Sequence, residues 1–359
     1  MGSISKEKVI VGMSGGVDSS VAAALLVKQG HQVTGVTMKI WAGEPVGGKG
    51  RHGCYGPEEE RDIEDARDVA LKLGIPFQII DLAQEYREEV LDYFCEEYLA
   101  GRTPNPCVRC NRRIKFGALV KKAAETGIEF DFFATGHYTR REIDSGTGRM
   151  LLKRGKDSKK DQSYFLYDLT QAQLARALFP LGNYYKEQVC RMAVDFGLSL
   201  EGRKESQNFV CGSYSSLFGK KPLPGPIVNE NGKVLGEHAG IVNYTIGQRK
   251  GLRIGTAEPL YVIDIKPESN TVVAGMKERL YITEQGVIGL NWISVKALER
   301  PIEVKARIRS SHQGYDSVIS PDRENSVNVT YKEKQIGAAR GQAIVFYNGD
   351  TVVGGGIAA

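Results

Sequence analysis

Two textures of apolar spacing alternate along the first half of the chain. Lys8 to Met13 is a compact β-branched run that predicts a strand. Ser19 to Gln29 carries Val21, Ala22, Leu25 and Leu26 on one helical side, with Gly30 as its stop. His31 to Met38 predicts a second strand, and Glu64 to Leu73 a helix ended by Gly74-Ile75-Pro76. Phe77 to Asp81 follows as a third strand, Gln84 to Ala100 as a long helix, and Phe130 to Thr135 as a fourth strand. Strands alternating with helices predict an α/β domain with a parallel, doubly wound sheet. Ligands of such sheets bind at the carboxyl ends of the strands, where Ser14 to Ser19 and Gly136-His137 both fall.

Further helices are predicted over about 171–197, and then the texture changes. From Glu201 to about Thr283 the chain is punctuated by Gly and Pro, with short strands at Leu260 to Ile265 and Thr271 to Ala274. Beyond Gly286, Ile302 to Ile308, Ser326 to Tyr331 and Gln342 to Tyr347 alternate in period two, with Asn348-Gly349-Asp350 as a hairpin turn. The expected organisation is a catalytic α/β domain over 1–204, a small central domain over 205–284 and a C-terminal antiparallel β-barrel over 285–359.

Composition adds little to that frame: 41% hydrophobic and 25% charged residues are ordinary for a globular chain. The N-terminal segment lacks the apolar region of a signal peptide, and no apolar stretch approaches bilayer-spanning length, so a soluble cytoplasmic protein is expected. The net charge of +5 matters through its distribution. Arg109, Arg112, Arg113 and Lys115 form one cluster, Lys153, Arg154, Lys156, Lys159 and Lys160 a second, and Arg249, Lys250 and Arg253 a third. Any one of them reads as a solvated face; three beside motif-like sequence point to a polyanionic partner. The six cysteines do not form a secreted disulfide framework. Cys95, in the stripe Val90, Leu91, Phe94, Tyr98, and Cys190, beside Val189, Ala193 and Phe196, are expected in the core. Cys54, Cys107, Cys110 and Cys211 remain for chemistry, although the polar loop Arg51 to Gly56 assigns Cys54 no role.

The densest chemistry is Ser14-Gly15-Gly16-Val17-Asp18-Ser19-Ser20, set between a strand and a helix. Two glycines let successive amides turn into one concavity, and the helix N-terminus behind them adds donors and a favourable dipole. The serine hydroxyls can bind phosphate oxygens, and Asp18 can hold magnesium. A capped turn is the bland alternative. No Gly-Lys-Ser/Thr follows, so this is not a Walker loop. It resembles the pyrophosphate loop, SGGxDS, of enzymes that split ATP between its α- and β-phosphates and transfer AMP to an oxygen.

Four further segments narrow the substrate. They are Thr103-Pro104-Asn105-Pro106-Cys107-Val108-Arg109-Cys110-Asn111, Ala134-Thr135-Gly136-His137-Tyr138, Lys160-Asp161-Gln162-Ser163-Tyr164, and Tyr244-Thr245-Ile246-Gly247-Gln248-Arg249-Lys250-Gly251-Leu252. Together they resemble the tRNA-specific 2-thiouridylases over the whole length and in the family's order. The resemblance implies an adenine nucleotide α-hydrolase-like fold. It also implies an ATP-dependent tRNA-uridine 2-sulfurtransferase acting on the wobble uridine at position 34, which releases AMP and pyrophosphate. A pyrimidine C2 oxygen is a poor leaving group, and adenylation makes it one.

By that resemblance Gly12, Met13, Ser14, Gly15, Gly16, Val17, Asp18, Ser19, Met38 and Gly136 line the ATP site. Asn105, Pro106 and Cys107 face the target base, while His137, Lys160, Asp161, Gln162, Arg309, Ser310 and Gln342 contact the tRNA. Cys110 matches the nucleophile and Cys211 the persulfide carrier, with a Cys110–Cys211 disulfide left after sulfur transfer. Arg109 and Arg112 are expected to favour the Cys110 thiolate. Many family members carry an acid where this chain has Cys107, so Cys107, Cys110 and Cys211 could instead hold a 4Fe–4S cluster whose open iron binds sulfide. A redox pair or two zinc ligands are the further alternatives for the Cys-x-x-Cys pair. The implied partners are the anticodon stem-loop of tRNA and a sulfur-donor protein, either a persulfide relay or a cysteine desulfurase. Two other readings stay open: a pyrophosphate-loop ligase adenylating a small metabolite, and a non-catalytic tRNA-binding protein.

Overall fold

The computed structural model describes residues 6–43, 53–198, 208–210, 214–219 and 221–359. They form two compact units, the first comprising Met1–Val90, Cys107–Ser213 and Asp350–Val352, the second Leu91–Pro106, Tyr214–Gly349 and Val353–Ala359.

The first unit is the predicted α/β domain. Its strands are β1 (Lys8–Gly12), β2 (Gln32–Lys39), β3 (Gly53–Tyr55), β4 (Phe77–Asp81), β5 (Phe132–Ala134), β6 (Thr139–Ile143), β7 (Met150–Arg154), β8 (Ala177–Leu178) and β9 (Asn208–Val210). Five of them form a parallel sheet in the order β4-β2-β1-β5-β8. The chain winds outward from β1 through β2 to β4, then returns to the other side of β1 as β5. The order therefore reverses between β1 and β5, which is where an open parallel sheet leaves a crevice.

Two helices on the β1–β4 side show how the sequence builds this layer. α1 (Val17–Lys28) is buried from Ser19 through Leu26, as its continuous apolar run requires, and shares a core with β1, β2 and β5. α2 (Glu59–Leu73) buries Ile63, Ala66, Val69 and Ala70 and ends at Gly74 in the left-handed conformation. It starts five residues before the apolar period predicts. Glu59, Glu60 and Asp62 occupy its first turn, where carboxylates suit the helix dipole. Glu59 also turns inward, its carboxylate accepting from the amides of Ile40 at 2.7 Å and Trp41 at 3.1 Å beyond the end of β2. Burial raises its pKa against the lowering effect of those amides.

The segment carrying the Cys-x-x-Cys pair is helical throughout, which the sequence reading did not anticipate. Pro106–Arg109 is one α-turn, Cys110–Leu119 is π-helical, and Val120–Glu125 closes the run. A π-helix is rare because its wide ring is poorly filled, so outside contacts must hold it. Gln173 supplies them: its Nε2 donates to the carbonyls of Arg112 at 2.9 Å and Phe116 at 3.0 Å. Gln173 is itself fixed by a capping box with Thr170. The long helix predicted over 84–100 runs from Ala83 to Leu99 with a second π-helical stretch at Arg87–Asp92.

In the second unit, β10 (Gly225–Val228), β11 (Val234–His238), β12 (Tyr261–Lys266) and β13 (Thr271–Gly275) form a sheet in the order β11-β10-β13-β12. The strands β14 (Tyr281–Trp292), β15 (Ile302–Arg307), β16 (Tyr315–Pro321), β17 (Ser326–Ile336), β18 (Ala343–Asn348) and β19 (Thr351–Ala358) follow in the order β14-β17-β16-β15-β18-β19. Pairing of β14 with β19 closes them into the expected antiparallel barrel, filled by Val304, Ile319, Val329, Ile344 and Phe346. Residues 349–350 turn β18 into β19, where the sequence placed a hairpin, with Gly349 at φ +56°. Among the described residues no helix is long and apolar enough to cross a membrane.

Gln173→Ala removes both the cap and the two carbonyl partners. It is expected to destabilise the protein by about 2–3 kcal/mol in urea titration. Thr170→Ala, which loses only the cap, should cost about 1 kcal/mol in the same experiment.

Candidate active site

At the switch point the loop after β1 and the loop after β5 meet. Gly15 sits at φ +72°, and a Cβ there would lie 2.5 Å from the Asp62 carbonyl oxygen. Gly136 presses on the first turn of α1, where a Cβ would lie 2.7 Å from the Asp18 carbonyl carbon and 2.8 Å from the Ser19 nitrogen. Both positions therefore require glycine for close backbone approach. The N-cap of α1 is Gly16, which brings no side chain to its first-turn amides. Ser19 closes the loop in the meantime: its Oγ accepts from the Ser14 amide at 3.1 Å and donates to the Gly16 carbonyl at 3.1 Å. Gly12 lies in β1 opposite Val36, and Met38 in β2 opposite Ile80, half-buried two residues before Ile40, one of the amide partners of the Glu59 carboxylate. Met13 is buried, its sulfur packed over Gly35.

Asp18 projects from this turn into two partners that the sequence reading missed. Lys186 Nζ donates to both of its carboxylate oxygens, at 2.8 and 2.9 Å. The Tyr138 hydroxyl donates to Oδ1 at 2.7 Å. Tyr138 carried a signal, since it completes the Ala-Thr-Gly-His-Tyr segment. Lys186 carried none; it starts the helix Lys186–Asp195, far from Asp18 in the chain.

His137 is crowded against Phe116 and Phe179, with its Nδ1 2.8 Å from the Thr135 hydroxyl. Burial, and then the charge of Lys115, push its pKa down to about 3, so the imidazole is neutral near pH 7. Gln162 holds this segment from outside: its Oε1 accepts from the Tyr138 amide at 2.9 Å and its own amide donates to the Tyr138 carbonyl at 3.0 Å. Asp161 accepts from the amides of Gly155 and Ser163. Gln162 thus has a structural task, closing the stretch onto Tyr138.

Cys110 is buried at the start of the π-helix, and burial pushes its thiol up to about 12. Cys107 is pushed in the same direction, to about 11. It keeps an exposed face, however, so desolvation counts for less there than at Cys110. Arg109 and Arg112 do not favour the thiolates as expected. Each is committed to a carboxylate, Arg109 to Glu89 at 2.8 Å and Arg112 to Asp168 at 2.5 Å. The cation that lowers both thiols is Lys115. The π-helix explains this: its i→i+5 ring sets Cys110 and Lys115 one turn apart, whereas five residues of α-helix make about 1.4 turns.

Cys54 lies on β3, exposed, and its field reaches Cys107, Cys110 and Tyr86. Tyr86 is fully buried and stacks on Tyr55 at a centroid distance of 5.6 Å. β3 pairs with β9, setting Tyr55 beside Val210. Cys211 lies outside the described residues. Among the described residues no three His, Cys, Asp or Glu side chains converge as a metal site. Cys95 is half-buried, its thiol donating to the Leu217 carbonyl at 3.5 Å and pushed up to about 11 by burial. Cys190, expected in the core, is exposed. It follows Val189 by one residue, and that step carries it about 100° round the helix.

In the second unit, Asn105 and Pro106 end the segment preceding the pair and are half-buried. Arg309 is exposed on the barrel after β15, and the neighbouring Ser310 carbonyl accepts from Arg307. Gln342 accepts from the Ala339 amide at 3.1 Å and so closes the turn before β18.

Three family models cover the chain: a tRNA methyl transferase HUP domain over residues 7–212, a tRNA methyl transferase PRC-barrel domain over 217–276, and an aminomethyltransferase beta-barrel domain over 284–358. The chain is 47% identical over 354 residues to the tRNA-specific 2-thiouridylase MnmA of Endomicrobium trichonymphae, covering 98% of each. It is 47% identical over 357 residues to tRNA-specific 2-thiouridylase MnmA 1 of Caldanaerobacter subterraneus subsp. tengcongensis, covering 98% of this chain and 97% of the relative. It is 44% identical over 362 residues to the tRNA-specific 2-thiouridylase MnmA of Clostridium perfringens, covering 99% of each.

Gly136→Ala should cost about 1–3 kcal/mol in denaturant titration through forced displacement of the α1 turn. For His137, the unfolded chain takes up a proton below about pH 6.5 that the folded protein refuses until about pH 3. Stability should therefore fall as pH falls through that window, and the His137 ring resonances should not titrate between pH 5 and 8. At pH 8, iodoacetamide should label exposed Cys190 and spare Cys110, as mass spectrometry of peptides would show.

Proposed function

The chain belongs to the family of tRNA-specific 2-thiouridylases, and from that membership we propose how its residues replace the C2 oxygen of a tRNA uridine with sulfur. It is a tRNA-uridine 2-sulfurtransferase. The observation that carries the mechanism is the uncapped α1 turn, with Asp18 projecting from it and Gly136 behind it, at the switch point of the sheet.

In this reading the triphosphate of ATP lies on the Ser14 to Ser19 loop, with adenine toward Met38. Magnesium, when bound, neutralises the phosphates, and Asp18 is the residue that would hold it. The uridine O2, with N3 giving up its proton, attacks the α-phosphorus. The new O–P bond forms as the bridge to the β-phosphate breaks, and pyrophosphate leaves. The terminal sulfur of a Cys211 persulfide then attacks C2, and AMP departs with the oxygen. The Cys110 thiolate attacks the Cys211 sulfur and breaks the S–S bond. This frees the C2 thione and leaves a Cys110–Cys211 disulfide, which an external dithiol reduces before a sulfur-donor protein reloads Cys211.

The resting thiol at Cys110 gives this order a physical basis. Burial keeps the Cys110 thiol protonated, and in this reading its attack waits until bound tRNA changes the surroundings of Cys110 and Lys115. Asn105, Pro106 and Cys107 would face the base, and the neutral His137 would donate or accept one hydrogen bond beside it. Lys160 to Gln162, Arg309, Ser310 and Gln342 would meet the RNA backbone. A 4Fe–4S cluster on Cys107, Cys110 and Cys211 would carry the sulfur as bound sulfide instead. The described residues bring two of those thiols near one another, and the iron content of anaerobically purified protein decides between the routes. With tRNA as substrate, the cytoplasm is its place of work.

Asp18→Ala should abolish ATP–pyrophosphate exchange in the presence of tRNA. Cys211→Ala should retain exchange yet produce no 2-thiouridine on nucleoside analysis. Wild-type thiolation by Cys211→Ala would remove the persulfide assignment. Binding of tRNA should weaken steeply between about 50 and 200 mM salt.

A further inference from the structure

Cys54 takes no part in the steps above, yet the fold sets it among the sulfurs that do. It lies in β3 between Gly53 and Tyr55, both buried, and is itself exposed. Tyr55 stacks on Tyr86 at a centroid distance of 5.6 Å and an interplanar angle of 12°. Tyr86 ends the helical turn Ala83–Tyr86, which packs on the π-helix that Cys110 begins. Arg109 ties the same two segments together, its Nε donating to the Glu89 carbonyl at 2.9 Å. Cys54, Cys107 and Cys110 all act on the Tyr86 phenol, and at Cys110 the influence of Cys54 exceeds that of Cys107, only three residues away in the chain. β3 also pairs with β9, whose last residue, Val210, precedes Cys211.

The two thiols differ in access, Cys110 being buried and Cys54 exposed. In thiol–disulfide exchange the attacking thiolate must reach the sulfur it joins, so an external dithiol is shut out from the Cys110 sulfur and free to meet Cys54. The oxidation left by each turnover arises at a buried sulfur and has to be discharged at the surface. A neighbouring thiol on the same chain attacks with the high effective concentration of an intramolecular reaction.

We propose that Cys54 is the resolving thiol of this site, taking Cys110 over from the Cys110–Cys211 disulfide and presenting it to an external dithiol. The Cys54 thiolate attacks the Cys110 sulfur; the Cys54–Cys110 bond forms, the Cys110–Cys211 bond breaks, and Cys211 leaves with the electron pair and takes up the proton that Cys54 gave. One thiolate of the dithiol then attacks the Cys54 sulfur. Cys110 leaves, with the Lys115 ammonium as the nearby cation for its charge, and is reprotonated. The second thiolate of the dithiol displaces Cys54 and closes the reductant's own disulfide, so the two electrons spent on the thione sulfur are returned. Reductant and sulfur donor thereby use different sulfurs, Cys54 and Cys211. This inference rests on the persulfide reading of the reaction.

Thiolation of tRNA by the full-length protein, supplied with ATP, a cysteine desulfurase and cysteine, with dithiothreitol as the dithiol, tests it. Cys54→Ser should form the first 2-thiouridine per protein at the wild-type rate and then turn over about tenfold or more slowly. Non-reducing peptide mass spectrometry should show Cys110 linked to Cys211 accumulating in that variant. Wild-type protein stopped after one turnover without dithiothreitol should show Cys110 linked to Cys54. Steady-state turnover of Cys54→Ser at the wild-type rate would overturn the proposal, as would a slowed first turnover, which marks a structural role. Linkage of Cys110 to Cys107 in place of Cys54 would also overturn it. Wild-type protein that thiolates tRNA without Cys110 entering any disulfide would overturn the persulfide reading along with it.

Discussion

The contact between Gly136 and the peptide joining Asp18 to Ser19 is the constraint on which the site depends. A sheet that reverses its winding leaves a crevice, but a crevice binds nothing until the turns on its two sides are brought to a fixed separation. Here that separation is set backbone to backbone, at distances only a residue without a Cβ permits. Gly15 does the same on the other flank against α2. Once both are seated, the direction of the α1 amides follows, and so does the position of Asp18 within reach of Tyr138 and Lys186. The His137 side chain is carried on the residue after Gly136, so the nucleotide loop and the imidazole are fixed by one strand end.

A second constraint governs the cysteine pair. The π-helical register of Cys110–Leu119 is held from outside by one glutamine amide, and it decides which side chains share a face with the thiol. The arginines nearest in sequence turn to Glu89 and Asp168, while the lysine one wide turn away faces the cysteines. Lys115 also acts on His137, so a single ammonium reaches both halves of the proposed chemistry. The two halves lie within one compact unit, and the structural link between them is a helix of unusual pitch.

Much of this frame was legible in the sequence where local rules operate. β4 was read to the residue, and β1, β2 and α1 to within a few, because β-branched runs and a 3.6-residue period leave few alternatives. The closed barrel followed from period-two alternation and a hairpin turn. The failures have physical causes as well. β8 is two residues long and β6 and β7 form a hairpin of five-residue strands, so none is long enough to carry a clear periodic signal. No propensity distinguishes a π-helix, since the decision lies with Gln173 more than fifty residues away. Cys190 was misread because a one-residue offset on a helix changes its face. The loop glycines, Asp18 and Gly136 were found by motif, whereas Lys186 and Lys115 acquire their neighbours only through tertiary contact.

The burial of Cys110 bears on how such an enzyme survives an oxidising episode. Peroxides attack thiolate far faster than thiol, and a sulfur oxidised past the sulfenic state is lost to most repair. Held protonated and away from solvent, Cys110 is less vulnerable than Cys54 or Cys107. Cys54 and Cys107, both open to solvent, meet small oxidants first, and in the proposed mechanism neither is the sulfur that carries out the last attack on the persulfide. The same desolvation that, in the proposed mechanism, holds the thiol back until tRNA binds thus spares it from damage while idle.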